Sequence, residues 1–200
     1  MDFISGASLI GLIKTAGYLG LFGIVFAESG LFFGFFLPGD SLLFTAGLLA
    51  SQGYLNVAFI LVGVFVSAVL GDNVGYAFGR NVGPKIFNRE NSLFFHKNNL
   101  IKAENFYKQH GPITIVLARF IPFIRTFAPI VAGVGRMHYK TFMLYNIAGG
   151  FLWSTGLILS GYYLTKIIPD IEQYISHIIV LIIFISIIPI VITWIIKRKK

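Results

Sequence analysis

Cysteine is absent from this chain of 200 residues, which excludes disulfides, thiolate metal sites and cysteine nucleophiles. Charged residues are scarce at 12 %, whereas hydrophobic residues make up 56 % and the mean hydropathy is +0.80. These proportions exclude an ordinary soluble domain and predict one polytopic, all-α membrane domain over residues 1–200. The 4 histidines are scattered without the spacing of metal ligands, so neither a metal site nor another cofactor is predicted.

The net charge of +8 is concentrated in two places. The loop at residues 80–112 carries an excess of lysine and arginine, and residues 197–200 are all cationic. Because cytoplasmic loops of membrane proteins are rich in these residues, the loop and the C-terminus are predicted to be cytoplasmic. Both segments are expected to contact anionic membrane lipids rather than nucleic acid.

Three apolar segments have the length of ordinary spanning helices, which need ~20 residues to cross a hydrocarbon core. They are residues 57–79, 142–164 and 175–196. The sequence therefore predicts a multi-pass membrane protein.

A further apolar stretch, residues 17–50, carries the charges of Glu28 and Asp40 and is broken at Pro38-Gly39. A charge at the bilayer centre costs roughly 2.5–3.5 kcal/mol, so such residues usually mark a substrate or ion path. Non-helical backbone at that depth occurs only inside protein or beside water. The stretch is predicted to be a re-entrant hairpin, with residues 17–36 as the outgoing arm and residues 42–50 as the returning arm. A full crossing by residues 17–36 stays open, because that arm is long enough to span.

The second broken stretch, residues 113–135, carries Arg119 and Arg125 on either side of Pro122. A hairpin here keeps all the basic loops on one side of the membrane, whereas a single crossing would invert them. Residues 17–79 and 113–164 then form an inverted repeat, in which each half is a re-entrant hairpin followed by a spanning helix. The acids of one hairpin are expected to meet the arginines of the other near the midplane.

The first spanning segment has a small residue at every fourth position, a pattern that lets another helix backbone approach closely. This row is predicted to be a packing seam and comprises Gly63, Ser67, Gly71, Gly75, Gly79 and Gly83. Asp72 and Asn73 lie beside it and are predicted to support a neighbouring hairpin by hydrogen bonding. The alternative for Asp72 is contact with a proton or a lipid headgroup.

Three spaced motifs follow one another along the chain: Glu28 with Pro38-Gly39-Asp40, Gly71-Asp72-x-x-Gly75-Tyr76-x-x-Gly79-Arg80, and Arg119-Phe120-x-Pro122-x-x-Arg125 followed by Ala132-Gly133. Together they resemble the DedA family of bacterial membrane proteins, which is related to the eukaryotic VTT-domain lipid scramblases. The resemblance covers roughly residues 20–165. One departure is that many relatives carry a proline soon after the glutamate, where this chain has Leu31-Phe32-Phe33.

The resemblance implies a bacterial inner-membrane protein with two opposed re-entrant hairpins. It also implies a part in returning undecaprenyl phosphate across the membrane, in envelope integrity, and a need for proton motive force. The functional residues of the family correspond here to Glu28, Asp40, Arg119 and Arg125.

The chemistry of these four residues fits a phosphate site. Arginine stays protonated and offers a planar fork of donors to phosphate oxygens, so Arg119 and Arg125 are the predicted phosphate ligands. Glu28 or Asp40 pairs with arginine in the empty site and takes a proton when phosphate displaces it. The alternative is a set of structural ion pairs that clamp the two hairpin tips.

These observations predict a transporter for a lipid phosphate rather than an enzyme, since neither hairpin contains a histidine nucleophile of the kind a phosphatase needs. Two alternatives stay open at this point. A proton-coupled exchanger of small cations would use the two acids at membrane depth, and an uncoupled phospholipid scramblase would match the eukaryotic relatives.

Overall fold

A computed structural model of the chain describes residues 6–31, 37–86, 105–107 and 109–167. The elements are α1 (Gly6–Gly30), α2 (Gly39–Ser51), α3 (Val57–Ile86), α4 (Ile113–Ala118), α5 (Pro122–Val134) and α6 (Tyr139–Ile167). No strand occurs in these ranges, so the all-α class is confirmed. The predicted span 175–196, the basic tail and most of the loop 80–112 lie outside the described residues.

Two of the described helices, α3 and α6, are long and apolar enough to cross a membrane. They cover the predicted segments 57–79 and 142–164, and both helices are longer than the apolar pattern alone indicates. The helical backbone of α3 continues to Ile86 although its last turns contain Gly83 and Pro84, two residues that disfavour a helix interior. The first seven residues of the predicted loop 80–112 are therefore helical. The re-entrant hairpins and the inverted repeat stay predictions.

The first broken stretch contains two helical segments on either side of Pro38. Helix α1 bends at Gly17, whose φ of 59° and ψ of −155° lie outside the range of other residues, and it ends at Gly30. Helix α2 begins at Gly39 rather than at the expected Leu42, because the Pro38 carbonyl accepts the Leu42 N–H at 2.8 Å. Asp40 consequently lies in the first turn of α2, where the helix dipole favours a carboxylate.

Helices α2 and α5 end in the same way. Each has 13 residues and is followed by a Schellman motif, in which a left-handed residue allows two backward hydrogen bonds to the last turn. The left-handed residue is Gly53 after α2, with φ of 83°, and Arg136 after α5, with φ of 53°. A long apolar helix begins soon after each motif.

The chain forms two compact units. The first unit consists of residues 6–24, 37–65 and 154–167 of the described part. Its core is α2, which is buried along most of its length, and glycines allow α2 to lie directly on the backbone of α6. Gly47 faces the backbone at Ile158, and Gly161 faces the backbone at Phe44.

The second unit consists of the described residues 25–31, 66–86, 105–107 and 109–153. Here the predicted glycine row of α3 is a packing seam. Gly71 lies against the backbone at the end of α1, and Gly79 lies against the backbone at Ile130 of α5. Gly133 of α5 faces the α3 backbone at Tyr76 in return. Close approach of bare backbones is how membrane helices associate where lipid supplies no hydrophobic drive.

Hydrogen bonds between distant residues fix the contacts of this unit. The Tyr76 hydroxyl donates to the Met137 carbonyl at 2.6 Å and accepts from Arg80 Nη1 at 2.9 Å. The Tyr107 hydroxyl donates to the Ala128 carbonyl at 2.9 Å, and burial raises the pKa of Tyr107, so this hydroxyl stays a donor. The second unit is thus joined by directed polar contacts as well as by glycine packing.

Replacing Gly71 by alanine tests the seam. The new methyl group would lie 2.7 Å from the Phe26 carbonyl oxygen and 2.9 Å from Ser29 Cβ, so we expect Gly71→Ala to lower the free energy of unfolding by about 1–3 kcal/mol. The measurement is denaturant unfolding of the purified protein in detergent. Gly156→Ala is the control, since nothing lies within 4 Å of its added methyl. If the two variants have equal free energies of unfolding, the α3 glycine row does not act as a packing seam at Gly71.

Candidate functional site

The second unit buries four charged side chains, each between 1 % and 5 % exposed. Glu28 belongs to the last turn of α1, Asp72 to α3, Arg119 to the turn after α4, and Arg125 to the first turn of α5. Two cations therefore accompany two anions. Balanced charge is what a dehydrated interior requires, because an unpaired buried charge costs several kcal/mol.

The break between α4 and α5 positions both arginines. The last turn of α4 tightens through three N–H groups that each donate to the carbonyl three residues earlier, at 3.1–3.2 Å, beginning with Arg119. Ile121 is then extended, and Pro122 begins α5, where its fixed φ suits the first helical position and its missing N–H costs nothing. Arg119 and Arg125 thus lie on opposite sides of a short non-helical link.

Arg119 is held by side chains of two long helices. Its Nη2 donates to Asp72 Oδ2 of α3 and, at 2.5 Å, to Asn146 Oδ1 of α6. The Asn146 amide group in turn donates to the Val69 carbonyl at 3.2 Å. Adjacent glycines of α6 leave room for the arginine: a methyl at Gly149 would lie 3.0 Å from Arg119 Cδ, and one at Gly150 would lie 3.6 Å from Cζ. We call Asp72, Asn146, Gly149 and Gly150 the Arg119 anchor.

Arg125 has a different environment. Its Nη2 donates to Glu28 Oε1, and its Cζ lies 4.7 Å from the centroid of the Trp153 ring, in a cation–π contact. Arg125 is also close enough to act electrostatically on Asp72 and Arg119. The two ion pairs therefore form one network.

Arg119 Nε and the Thr126 hydroxyl are buried donors without a hydrogen-bond partner among the residues that the structure describes. Their residues are 3 % and 1 % exposed. A buried donor without an acceptor costs roughly 1–3 kcal/mol. Both are groups that the oxygens of an anion can satisfy, so the site retains hydrogen-bonding capacity for an acidic ligand.

The structure brings together Glu28, Arg119 and Arg125, three of the four residues that the family resemblance marks. Asp72, which the sequence predicts as a hydrogen-bonding support, joins them through Arg119. Asn73 donates through its amide to the Val69 carbonyl at 2.7 Å, the carbonyl that also accepts from Asn146, and its oxygen accepts from Tyr139. Within residues 6–31, 37–86, 105–107 and 109–167, no group of three acids or histidines could hold a metal ion.

Asp40 is placed in the first unit, together with Pro38 and Gly39. It is half-buried in the first turn of α2. The expectation that Asp40 meets the arginines of the second broken stretch stays a prediction.

Sequence reasoning did not single out Asn146, Trp153 or the Gly149-Gly150 pair. A signal for the amide existed, because an asparagine within an apolar span usually hydrogen-bonds to another helix. The Gly149-Gly150 pair indicates a close contact, but the sequence does not show that Arg119 is the residue in contact. Nothing in the sequence distinguishes Trp153 from the other aromatic residues of the chain.

Comparison with known proteins places these residues in context. A model of the VTT domain matches residues 37–163. Protein DedA of Escherichia coli (strain K12) is 46 % identical over 185 residues, which cover 92 % of this chain and 84 % of that protein. An uncharacterized membrane protein of Mycobacterium leprae is 45 % identical over 166 residues, or 83 % and 74 % of the two chains. Inner membrane protein YqjA of Escherichia coli (strain K12) is 34 % identical over 167 residues, or 82 % and 73 %. No solved structure matches the chain.

The unpartnered hydroxyl gives a stability prediction. Thr126→Val removes a buried donor without changing the shape of the side chain, so we expect the free energy of unfolding to stay constant or rise by up to about 1 kcal/mol. Thr45→Val is the matched control, because the buried Thr45 hydroxyl donates to the Ser41 carbonyl at 2.7 Å. Denaturant unfolding in detergent compares the two. If Thr126→Val lowers the free energy of unfolding as much as Thr45→Val does, the Thr126 hydroxyl has a hydrogen-bond partner.

Proposed function

Because this chain belongs to the DedA family of VTT-domain membrane proteins, we propose that it is a transporter that carries a lipid phosphate across the bilayer. The observation that carries the proposal is the buried pair Arg119 and Arg125, each held by a carboxylate in the second unit. The resemblance to the family makes undecaprenyl phosphate the proposed lipid, and the bacterial inner membrane the proposed location.

Two arginines suit a phosphomonoester. By analogy with phosphoserine, its headgroup carries a charge of about −1.5 to −2 near neutral pH, which the two guanidinium groups of Arg119 and Arg125 can neutralise. Each guanidinium presents parallel N–H donors that match phosphate oxygens. In a site shielded from water these contacts are stronger than at a surface. The polyprenyl tail stays in the lipid, so only the headgroup needs the protein.

The charge balance of the site supports proton coupling. With Glu28 and Asp72 ionised, the four-charge network is neutral, and an entering phosphate would leave it with excess negative charge. Release of one carboxylate from its arginine, followed by protonation, removes one unit of this excess negative charge. Glu28 and Asp40 are the proposed proton carriers, Glu28 because of its contact with Arg125 and Asp40 because the family resemblance implies it.

The proposed architecture is an inverted repeat of two re-entrant hairpins with a cytoplasmic C-terminus. It is supported by the likeness of α2 and α5, which share their length, a proline at the start and a left-handed residue after the end. Pro38, Gly39 and Pro122 are the proposed tip residues. Broken helices of this kind recur at the sites of secondary transporters. Anionic lipids are the proposed partners of the basic loop and tail.

Neutralising either arginine tests the proposal. We expect Arg119→Gln and Arg125→Gln each to lower the flip rate of a polyprenyl phosphate in proteoliposomes by at least about tenfold, because a hydrogen bond to a charged group contributes roughly 1.5–3 kcal/mol. The control is Lys140→Gln, which removes an exposed positive charge of the same unit and should leave the rate unchanged.

Other outcomes of this assay would point elsewhere. Proton-coupled cation flux that persists in both arginine variants would favour the exchanger. Movement of labelled phosphatidylethanolamine without a gradient would favour the scramblase. Loss of folded protein in both variants would indicate that the arginines only clamp the structure.

The pH dependence of transport tests the proton carrier. If Glu28 takes up a proton when phosphate displaces it, lower pH favours loading, so the wild-type rate should rise as pH falls. Glu28→Gln should flatten this profile, because its amide cannot titrate. The pH profile of Asp40→Asn is measured in the same assay, and the variant with the flattened profile identifies the residue that takes up the proton. A profile unchanged in Glu28→Gln would remove Glu28 from the proton role.

A further inference from the structure

We propose that Asp72 and Asn146 are positioning residues that keep Arg119 fixed during transport, while Arg125 exchanges Glu28 for the phosphate. The inference rests on the proposed transport of a lipid phosphate and assigns different tasks to two arginines that the sequence presents as equivalent. It also makes Asp72 a permanent counter-charge of the site.

The first support is the way in which Arg119 is held. Its Nη2 meets oxygens of both Asp72 and Asn146, and Asn146 is itself fixed by the Val69 carbonyl. The glycine pair of the anchor brings the α6 backbone against the arginine side chain. Moving Arg119 would break contacts to α3 and α6 together.

The second support is the position of each carboxylate in its helix. Asp72 lies in the middle of α3, with a continuous helix on both sides, and α3 is packed through its glycines. Glu28 lies two residues before the end of α1 at Gly30. Both partners of the Glu28–Arg125 pair belong to terminal turns, the last turn of α1 and the first turn of α5, whereas Asp72 belongs to a helix interior. Terminal turns open at a lower free energy than helix interiors, so the Glu28–Arg125 pair is the one that separates at lower cost. The Trp153 ring supports Arg125 through a cation–π contact, with its centroid 4.7 Å from Arg125 Cζ.

The third support is the hydrogen-bonding capacity left on Arg119. Both of its hydrogen bonds to the anchor come from Nη2, and its buried Nε has no partner among the described residues. An anchored Arg119 therefore still has a donor for a phosphate oxygen. A phosphate bound there would satisfy Nε without displacing Asp72.

This arrangement gives Asp72 a defined effect on affinity. When Glu28 is protonated and Asp72 stays ionised, the site offers a net charge of +1 to the phosphate. Removal of the Asp72 charge would raise this to +2, so the anion would bind more tightly and leave more slowly. A residue that only braces the fold would not change affinity in this direction.

The test is the rate of polyprenyl phosphate flipping by the full-length protein in proteoliposomes, measured against the mole fraction of the lipid. We expect Asp72→Asn, which keeps the shape and one oxygen, to lower the half-saturating fraction about threefold and the maximal rate about tenfold. Asn146→Asp keeps an oxygen beside Arg119 but adds a negative charge, so it should raise the half-saturating fraction about threefold. The half-saturating fraction is expected to fall in one variant and to rise in the other. Either variant alone therefore tests the proposal if the other fails to fold.

Two results would overturn the proposal. One is an unchanged half-saturating fraction in both variants, with the rate reduced only in proportion to the folded protein. The other is a raised half-saturating fraction in Asp72→Asn together with a flat pH profile, which would make Asp72 the displaced acid.

A second measurement separates this inference from the proposed function. If the folded wild-type protein moves no polyprenyl phosphate, the proposed function fails. A double-mutant cycle on unfolding in detergent still tests, without any transport, whether Asp72 holds Arg119. Asp72→Asn and Arg119→Gln should be coupled by about tenfold or more in the unfolding equilibrium, whereas Glu28→Gln and Arg119→Gln should be coupled much less. Equal coupling in the two cycles would show that Asp72 does not anchor Arg119.

Discussion

Burial of two arginines is the constraint that the second unit has to satisfy. Taking a charge out of water costs several kcal/mol, and only a well-placed opposite charge with further hydrogen bonds recovers it. The four charged residues come from the end of α1, the middle of α3 and the two sides of the α4–α5 link, so these three parts of the chain must be positioned consistently. A misplaced helix would leave a charge without its partner, and for this reason the ion pairs specify the arrangement as well as stabilise it.

The glycines and the charges of this unit depend on each other. Aspartate has a short side chain, so Asp72 reaches an arginine of another segment only if the backbones lie close together. Gly79 of α3 and Gly133 of α5 provide that approach between the two helices on which Asp72 and the α4–α5 link depend, and the Gly149-Gly150 pair brings α6 against Arg119. The ion pairs of this unit can therefore form only where small residues let the helices pack closely. The small-residue pattern and the buried charges look independent in the sequence, but each depends on the other in the structure.

The sequence predicts part of this arrangement. Charges within apolar stretches mark Glu28, Arg119 and Arg125, because such residues are costly in a membrane, and Pro122 marks the break between them. The partner of Arg119 was not predictable in the same way. Which acid it meets depends on how α3 is rotated about its axis, and periodicity shows only that Asp72 lies beside the glycine row. Helix ends were misjudged for a related reason: hydropathy does not register the Leu42 N–H bonded to Pro38, nor the polar last turns of α3.

The glycine row of α3 has a consequence for the register of its neighbours. A small residue every four positions presents nearly the same surface after each displacement of about 6 Å along the helix. Backbone packing on such a repeating surface does not by itself select one alignment over the next. The alignment of α5 on α3 must therefore come from contacts that do not repeat, namely the Tyr76 and Arg80 bonds to Met137 and the ion pair of Asp72 with Arg119.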